Sequence, residues 1–254
     1  MTELLSRREA LRFCAGAATI AGLGASTVAL AGPAQAYPWP SVLRQGSSGA
    51  AVAELQVRVA GWAADSPAHA AVRVDGAFGP GTASAVRRFQ AAYGLPPDGV
   101  VGTSTQRTLN SLESGDGSTS HFNWSEFWSK DGAKFSGGKV DAAHVTENVR
   151  RLMYKLEALR KKAGGGGVTV NSGFRSISHN VAIGGKPNSM HMYGIAADIA
   201  IVGKSTKQLY LIGETCGFSG LETYRVSWQH CDNRVEYAYG SQFWWWENGT
   251  VTRL

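Results

Sequence analysis

A chain of 254 residues with three cysteines and a formal net charge of +6 opens on a segment that belongs to export rather than to the fold. Beyond residue 36 no stretch is long and apolar enough to span a bilayer, which excludes a permanent membrane anchor, and the remaining 218 residues (254 less 36) suit one large domain or two small ones. The basic excess favours an anionic partner, and for an exported chain the cell wall is nearer than nucleic acid; a solvated basic surface accounts for the charge alone equally well.

Arg7 and Arg8 stand in Ser6-Arg7-Arg8-Glu9-Ala10-Leu11, an apolar Ala- and Gly-rich stretch runs from about Ala15 to Ala31, and Ala34-Gln35-Ala36 offers a small-residue cleavage site. Residues 1–36 read as a twin-arginine signal peptide, in preference to an ordinary secretory signal or a short anchor. That route moves a folded chain and places the product outside the cell or in its wall. Its removal takes away three arginines, two glutamates and Cys14, leaving a net charge of +5. Cys216 and Cys231 remain. An even number in an oxidising compartment predicts a disulfide, worth about 3 kcal/mol for a loop of about 15 residues in the chain-entropy account, with two buried thiols as the other reading.

Residues 42–112 contain an internal repeat. Asp75-Gly76-Ala77-Phe78-Gly79-Pro80-Gly81-Thr82 recurs as Asp98-Gly99-Val100-Val101-Gly102-Thr103-Ser104-Thr105, each time ahead of a helical stretch. Asp-Gly makes a tight turn and Pro80 suits the first turn of a helix. Val52, Leu55 and Val59 form one apolar stripe and Val86, Phe89 and Tyr93 another, predicting three short helices. With Leu43-Arg44-Gln45-Gly46-Ser47-Ser48-Gly49, Gln56, Gln90 and Gly94-Leu95, the segment resembles the repeat-type peptidoglycan-binding module. The resemblance implies a non-catalytic all-α three-helix domain that holds its chain on murein. Residues 113–120, polar and glycine-rich, read as a linker to a second domain over 121–254. Trp124 and Trp128, at its start, read as packing residues ahead of sugar-binding ones.

Val145, Val149, Leu152, Leu156 and Leu159 recur at helical spacing from about Asp141 to Lys162, and Gly164 to Gly167 stop the helix. Val168-Thr169-Val170 reads as a strand and Asn171 to Ser176 as the loop leaving it. His191, Asp198 and His230 are the residues that carry chemistry: two imidazoles and a carboxylate with room for water make a hydrolytic zinc site. On a straight strand His191 and Asp198 would lie about 23 Å apart and on a helix about 10 Å, too far to share one ion. A reversal near Tyr193-Gly194 would set them opposite one another at about 5 Å, as a cross-strand pair. Asp198 lies in an apolar run from Ile195 to Ile201, where an unpaired carboxylate is costly. Cys231 as a further ligand is disfavoured, since it and His230 point to opposite faces of a strand.

Ser172-Gly173-Phe174-Arg175-Ser176, Gly184-Gly185, Asn188 to Gly194 and Ala196-Ala197-Asp198 together resemble the zinc D-alanyl-D-alanine carboxypeptidase family, including its secreted members with an N-terminal murein-binding module. The resemblance implies an α+β domain with a small antiparallel sheet, zinc on His191, Asp198 and His230, and Arg175 at the substrate's terminal carboxylate. Ser189 and Tyr193 either hydrogen-bond substrate or cap the turn, and His179 reads as structural. One departure stands out: many family members carry a carboxylate three residues before the last histidine as general base, and this chain has Ser227. Asp232, on the same strand face as His230, is the first substitute, either as base or as the group that orients His230; Glu222 is the second.

The expected function is zinc-dependent hydrolysis of peptidoglycan stem peptides by a monomer, releasing a terminal D-alanine. The alternatives are a murein endopeptidase of the same family, and a wall-binding protein whose zinc module has lost catalysis, a reading motivated by Ser227.

Overall fold

The computed structural model describes residues 36–223, 227–238, 240, 242–247 and 250–253. The signal segment read over 1–36 lies outside the described residues apart from Ala36. Among the described residues no helix is long and apolar enough to cross a membrane.

Three helices, α1 (Ala50–Val59), α2 (Pro80–Ala92) and α3 (Thr103–Asn110), form the first unit. Pro80 occupies the first position of α2, where its missing N–H costs nothing. Val52, Leu55 and Val59 close on Val86, Phe89 and Leu109 in a core without solvent contact. The repeat turns out to be a hydrogen-bonding device as well as a turn. Gln56, 1% exposed, accepts from the backbone N–H groups of Asp75 and Gly76 at 3.0 and 2.9 Å and donates to the Asp75 carboxylate at 2.7 Å. Gln90 does the same under the second turn, accepting from Gly99 N–H at 2.8 Å and donating to Asp98 at 2.8 Å. Each buried amide thereby satisfies the polar groups that a tight turn leaves open.

The stretch over 113–120, read as a linker, is held by hydrogen bonds. Ser118 and Thr119 have no exposed surface, Ser114 N–H donates to the Ser118 carbonyl at 2.7 Å, and Asp116 accepts from Ser118 N–H at 3.0 Å. Glu113 accepts from the buried Arg58 at 2.7 Å, and a buried guanidinium must keep such partners. The long helix α4 (Ala142–Lys162) is the seam between the two units. Its Tyr154 and Ala158 belong to the helical core, while Val145, Val149, Leu152, Leu156 and Leu159 pack on the sheet domain. Gly61 lies so close that an added Cβ would sit 2.4 Å from that of Ala158. Arg150 of α4 also grips both oxygens of Glu54 at 3.0 and 2.9 Å.

Asp141 starts α4 by accepting from His144 N–H at 2.9 Å. The sheet follows, with β1 (Val168–Ser172), β2 (Ala196–Ile201), β3 (Gly220–Thr223), β4 (Gln229–Asp232), β5 (Trp244–Glu247) and β6 (Thr250–Arg253) in the order β1-β2-β4-β3-β5-β6. Helices α5 (Ile177–Ala182) and α6 (Thr206–Gly213) fill the connections. The domain is α+β, and its sheet is antiparallel except where β5 lies parallel to β3. β4 pairs with one edge of β3 and β5 with the other.

Strand alternation sorts the side chains. Ala197, Ile199, Ile201, Leu221, Cys231 and Trp245 face α4 and the core. The predicted disulfide is not present: Cys216 and Cys231 are buried free thiols in that core. Burial pushes both thiol pKa values up.

Candidate metal centre

His191 sits on a 3-10 turn, Met190–Tyr193, that ends at Gly194 in the left-handed region with φ 74°. The reversal expected at Gly194 is there, but it does not pair His191 with Asp198 across two strands. Asp198 stands opposite His230 in the β2–β4 ladder and opposite Ser172 in the β1–β2 ladder, and His191 enters from the turn above them. A Cβ on Gly194 would meet Val145 Cγ1 at 2.9 Å and the Val145 carbonyl at 3.0 Å. Gly194→Ala is therefore expected to destabilise the fold by about 2 kcal/mol through the φ alone. It should also weaken metal retention by displacing His191, with thermal unfolding and metal content as the two readouts.

The three side chains converge. His191 Nε2 lies 3.3 Å from His230 Nδ1 and 3.3 Å from Asp198 Oδ1, and His230 Nδ1 lies 2.9 Å from Asp198 Oδ1. Ligands near 2.0–2.1 Å from a tetrahedral cation are about 3.3 Å from one another, so this triangle has the dimensions of three corners of such a site. Each member is oriented from behind. His191 Nδ1–H donates to the Gly173 carbonyl at 2.7 Å, which turns Nε2 toward the triangle. Asp198 Oδ2 accepts from Arg175 Nη2 at 2.7 Å, and His230 Nε2 meets Asp232 Oδ2 at 3.2 Å. All three residues are buried, with exposures of 3, 4 and 8% for His191, Asp198 and His230.

The electrostatics follow from that packing. Burial alone would raise the Asp198 pKa, but His191 and His230 hold it well below the usual carboxylate range. Burial lowers the His191 pKa and outweighs the attraction of Asp198. For His230 burial also acts downward, yet its hydrogen bonds to Asp198 and Asp232 push the pKa up to about 10. The Asp198 carboxylate thus places negative potential at Nδ1, where a divalent cation would take the place of a proton.

The triangle opens into a cleft of about 610 Å³. Arg175 lines it and is fixed by Ser172 Oγ at 2.8 Å as well as by Asp198. Ser189 also lines it and makes no side-chain cap to the turn, which leaves its hydroxyl to the cleft. Tyr193 is not brought to the cleft. It is absent from the lining: Asn148 of α4 donates to its carbonyl at 2.7 Å, and the Lys139 ammonium lies 6.0 Å from its ring centroid. His179 lies in α5, outside the lining. Trp124 packs against the core and donates to the Asp116 carbonyl at 3.0 Å, whereas Trp128 is 38% exposed with Lys134 over its ring.

Asp232 is corrected from base to orienting group. It has no exposed surface, lies on the Nε2 side of His230 away from the triangle, and both its oxygens accept from Arg234 Nε, at 2.9 and 3.1 Å. Burial would raise its pKa, but His230 and Arg234 hold it far below the ordinary value. Gly220, opposite Asp232 across β3–β4, makes room for this carboxylate, since a Cβ there would fall 2.0 Å from Oδ2. Neither Arg234 nor Gly220 stands out in the sequence, where the only cue is a basic residue two positions after Asp232. Trp244 and Trp246 line the cleft while Trp245 between them is core, the alternation expected of a strand.

Comparison with known proteins follows the same division. A profile described as putative peptidoglycan binding domain matches residues 48–109, and Peptidase M15 matches residues 120–232. The chain is 44% identical over 163 residues to the zinc D-Ala-D-Ala carboxypeptidase of Streptomyces albus G, covering 64% of this chain and 62% of that one. It thus spans less than two-thirds of that relative. It is 39% identical over 110 residues to an uncharacterized protein in the bpoA1 3′ region of Kitasatospora aureofaciens, covering 39% of this chain and 86% of that one. A spore cortex-lytic enzyme of Bacillus cereus is 39% identical over 80 residues, 32% of this chain and 29% of its own. Residues 120–232 thus match a Peptidase M15 domain, with a peptidoglycan-binding segment ahead of it.

Proposed function

We propose that this chain is a zinc peptidase of peptidoglycan stem peptides, releasing the terminal D-alanine. The observation that carries the reading is the 2.9–3.3 Å triangle of His191 Nε2, Asp198 Oδ1 and His230 Nδ1 at the floor of a cleft that also holds Arg175. These three residues would hold the zinc, and two nitrogens with one carboxylate oxygen suit that ion. Bound there, zinc polarises a carbonyl and lowers the pKa of water toward about 7. Arg175 supplies a planar guanidinium fork for the free carboxylate at the end of a stem peptide, while its contact with Asp198 fixes its position. Ser189 adds a hydroxyl at the cleft wall. The helical unit, clamped on α4, brings the cleft to murein, in keeping with a protein exported by the twin-arginine route and retained outside the cell or in its wall.

Stem pentapeptides with free and with amidated C-termini separate this reading from an endopeptidase. Loss of cleavage on amidation supports the carboxypeptidase; equal cleavage of both, or cleavage only of cross-linked murein, favours the endopeptidase.

A further inference from the structure

Hydrolysis needs a group to take the proton of the attacking water, and neither Ser227 nor Asp232 meets the need. Ser227 is exposed and outside the cleft lining, and Asp232 is buried behind His230. The sheet register places another carboxylate in line. Asp198 of β2 stands opposite His230 of β4, and His230 stands opposite Glu222 of β3, so the three project from one row on one face. Directly opposite residues hold their Cβ atoms about 4.5–5.5 Å apart, a gap that a glutamate side chain spans. Leu221, beside it, is fully buried on the core side, which sets Glu222 on the cleft side by strand alternation. The side chains lining the cleft include two carboxylates, Asp198 and Glu222. Asp198 is engaged in the triangle, which leaves Glu222. Its Oε1 lies 3.7 Å from Arg234 Nη2, and Arg234 is itself held by Asp232, so the group that orients His230 also steers Glu222.

Resting on the hydrolytic reading above, we propose that Glu222 is the catalytic proton acceptor of this chain. The water oxygen bonds to the scissile carbonyl carbon as its proton passes to the Glu222 carboxylate. When the C–N bond breaks, that proton goes to the departing amine nitrogen, and Glu222 returns to the carboxylate with no net change in electrons.

The test uses the full zinc-loaded chain. Glu222→Gln is expected to lower kcat about 10²–10⁴-fold, the usual contribution of a general base, with KM near the wild-type value and one zinc per chain. Glu222→Ala should regain part of its rate with added formate, which a merely structural residue would not do. Asp232→Asn should behave differently, losing about 10–100-fold in zinc affinity. If Glu222→Gln keeps more than a tenth of the wild-type kcat, or loses its zinc, the assignment is wrong while the hydrolytic reading stands. If the zinc-loaded wild-type chain cleaves no peptide, both are overturned.

Discussion

Asp198→Ala is expected to empty the site of zinc and abolish peptide release. Asp198 Oδ1 is the atom shared by both imidazoles, at 3.3 Å from His191 Nε2 and 2.9 Å from His230 Nδ1, and Oδ2 holds Arg175. Removing the carboxylate leaves two nitrogen donors beside the Arg175 guanidinium, a poor setting for a second positive charge. If one of three ligands carries a third of the ~10–16 kcal/mol typical of zinc binding to a protein site, the loss is about 4 kcal/mol, or about 10³-fold in affinity. Metal content after dialysis and rate at added zinc measure the two consequences. Asp198→Asn keeps the volume but not the charge and should lose nearly as much; zinc retained at one per chain in either variant would place the ion elsewhere.

The second large effect is on stability. Lys155 of α4 has no exposed surface, and its ammonium donates to the Gly217 carbonyl and to Glu236, whose side chain is 6% exposed. Lys155→Ala strands a carboxylate and a carbonyl in the interior, which typically costs about 3–5 kcal/mol. For a chain of this size that corresponds to a fall in Tm on the order of 10 °C. The double change Lys155→Met with Glu236→Leu should recover most of the loss, because both charges then leave the core together. A single variant that unfolds within 2 °C of the wild type would show that the pair is not a buried anchor. The position also matters to function. Gly61 packs over the Lys155 backbone, with a hypothetical Cβ 3.0 Å from its Cα, and Gly217 leads into β3, the strand of Glu222. Loosening Lys155 therefore loosens both the seam with the helical unit and one wall of the cleft.

Local features were legible because their causes are local. The Asp-Gly repeats, Pro80 and the apolar stripe of α4 are read from neighbours a few residues apart, and the reversal at Gly194 was required by the separation of His191 and Asp198. Register between distant strands was not legible. Asp198 meets His230 from 32 positions away, and only that pairing shows that His191 comes from a turn and that Glu222 shares the row. The same limit explains the other differences. Strand parity puts Asp232 on the same face as His230, but whether it faces the triangle or the back of the ring depends on Gly220 and Arg234. The 113–120 stretch reads as a linker by composition, and the pairing of its Glu113 with the buried Arg58 is again a long-range fact. A count of two cysteines favours a bond, while their burial as separate core thiols is a tertiary fact.

Titration of zinc into the chelator-stripped chain, with D-alanine release from a stem pentapeptide followed at each addition, tests the central claim most directly. Release should start from zero, rise in proportion to zinc and level off at one equivalent per chain. Full occupancy at one equivalent with no D-alanine released, or release that ignores zinc, would contradict it.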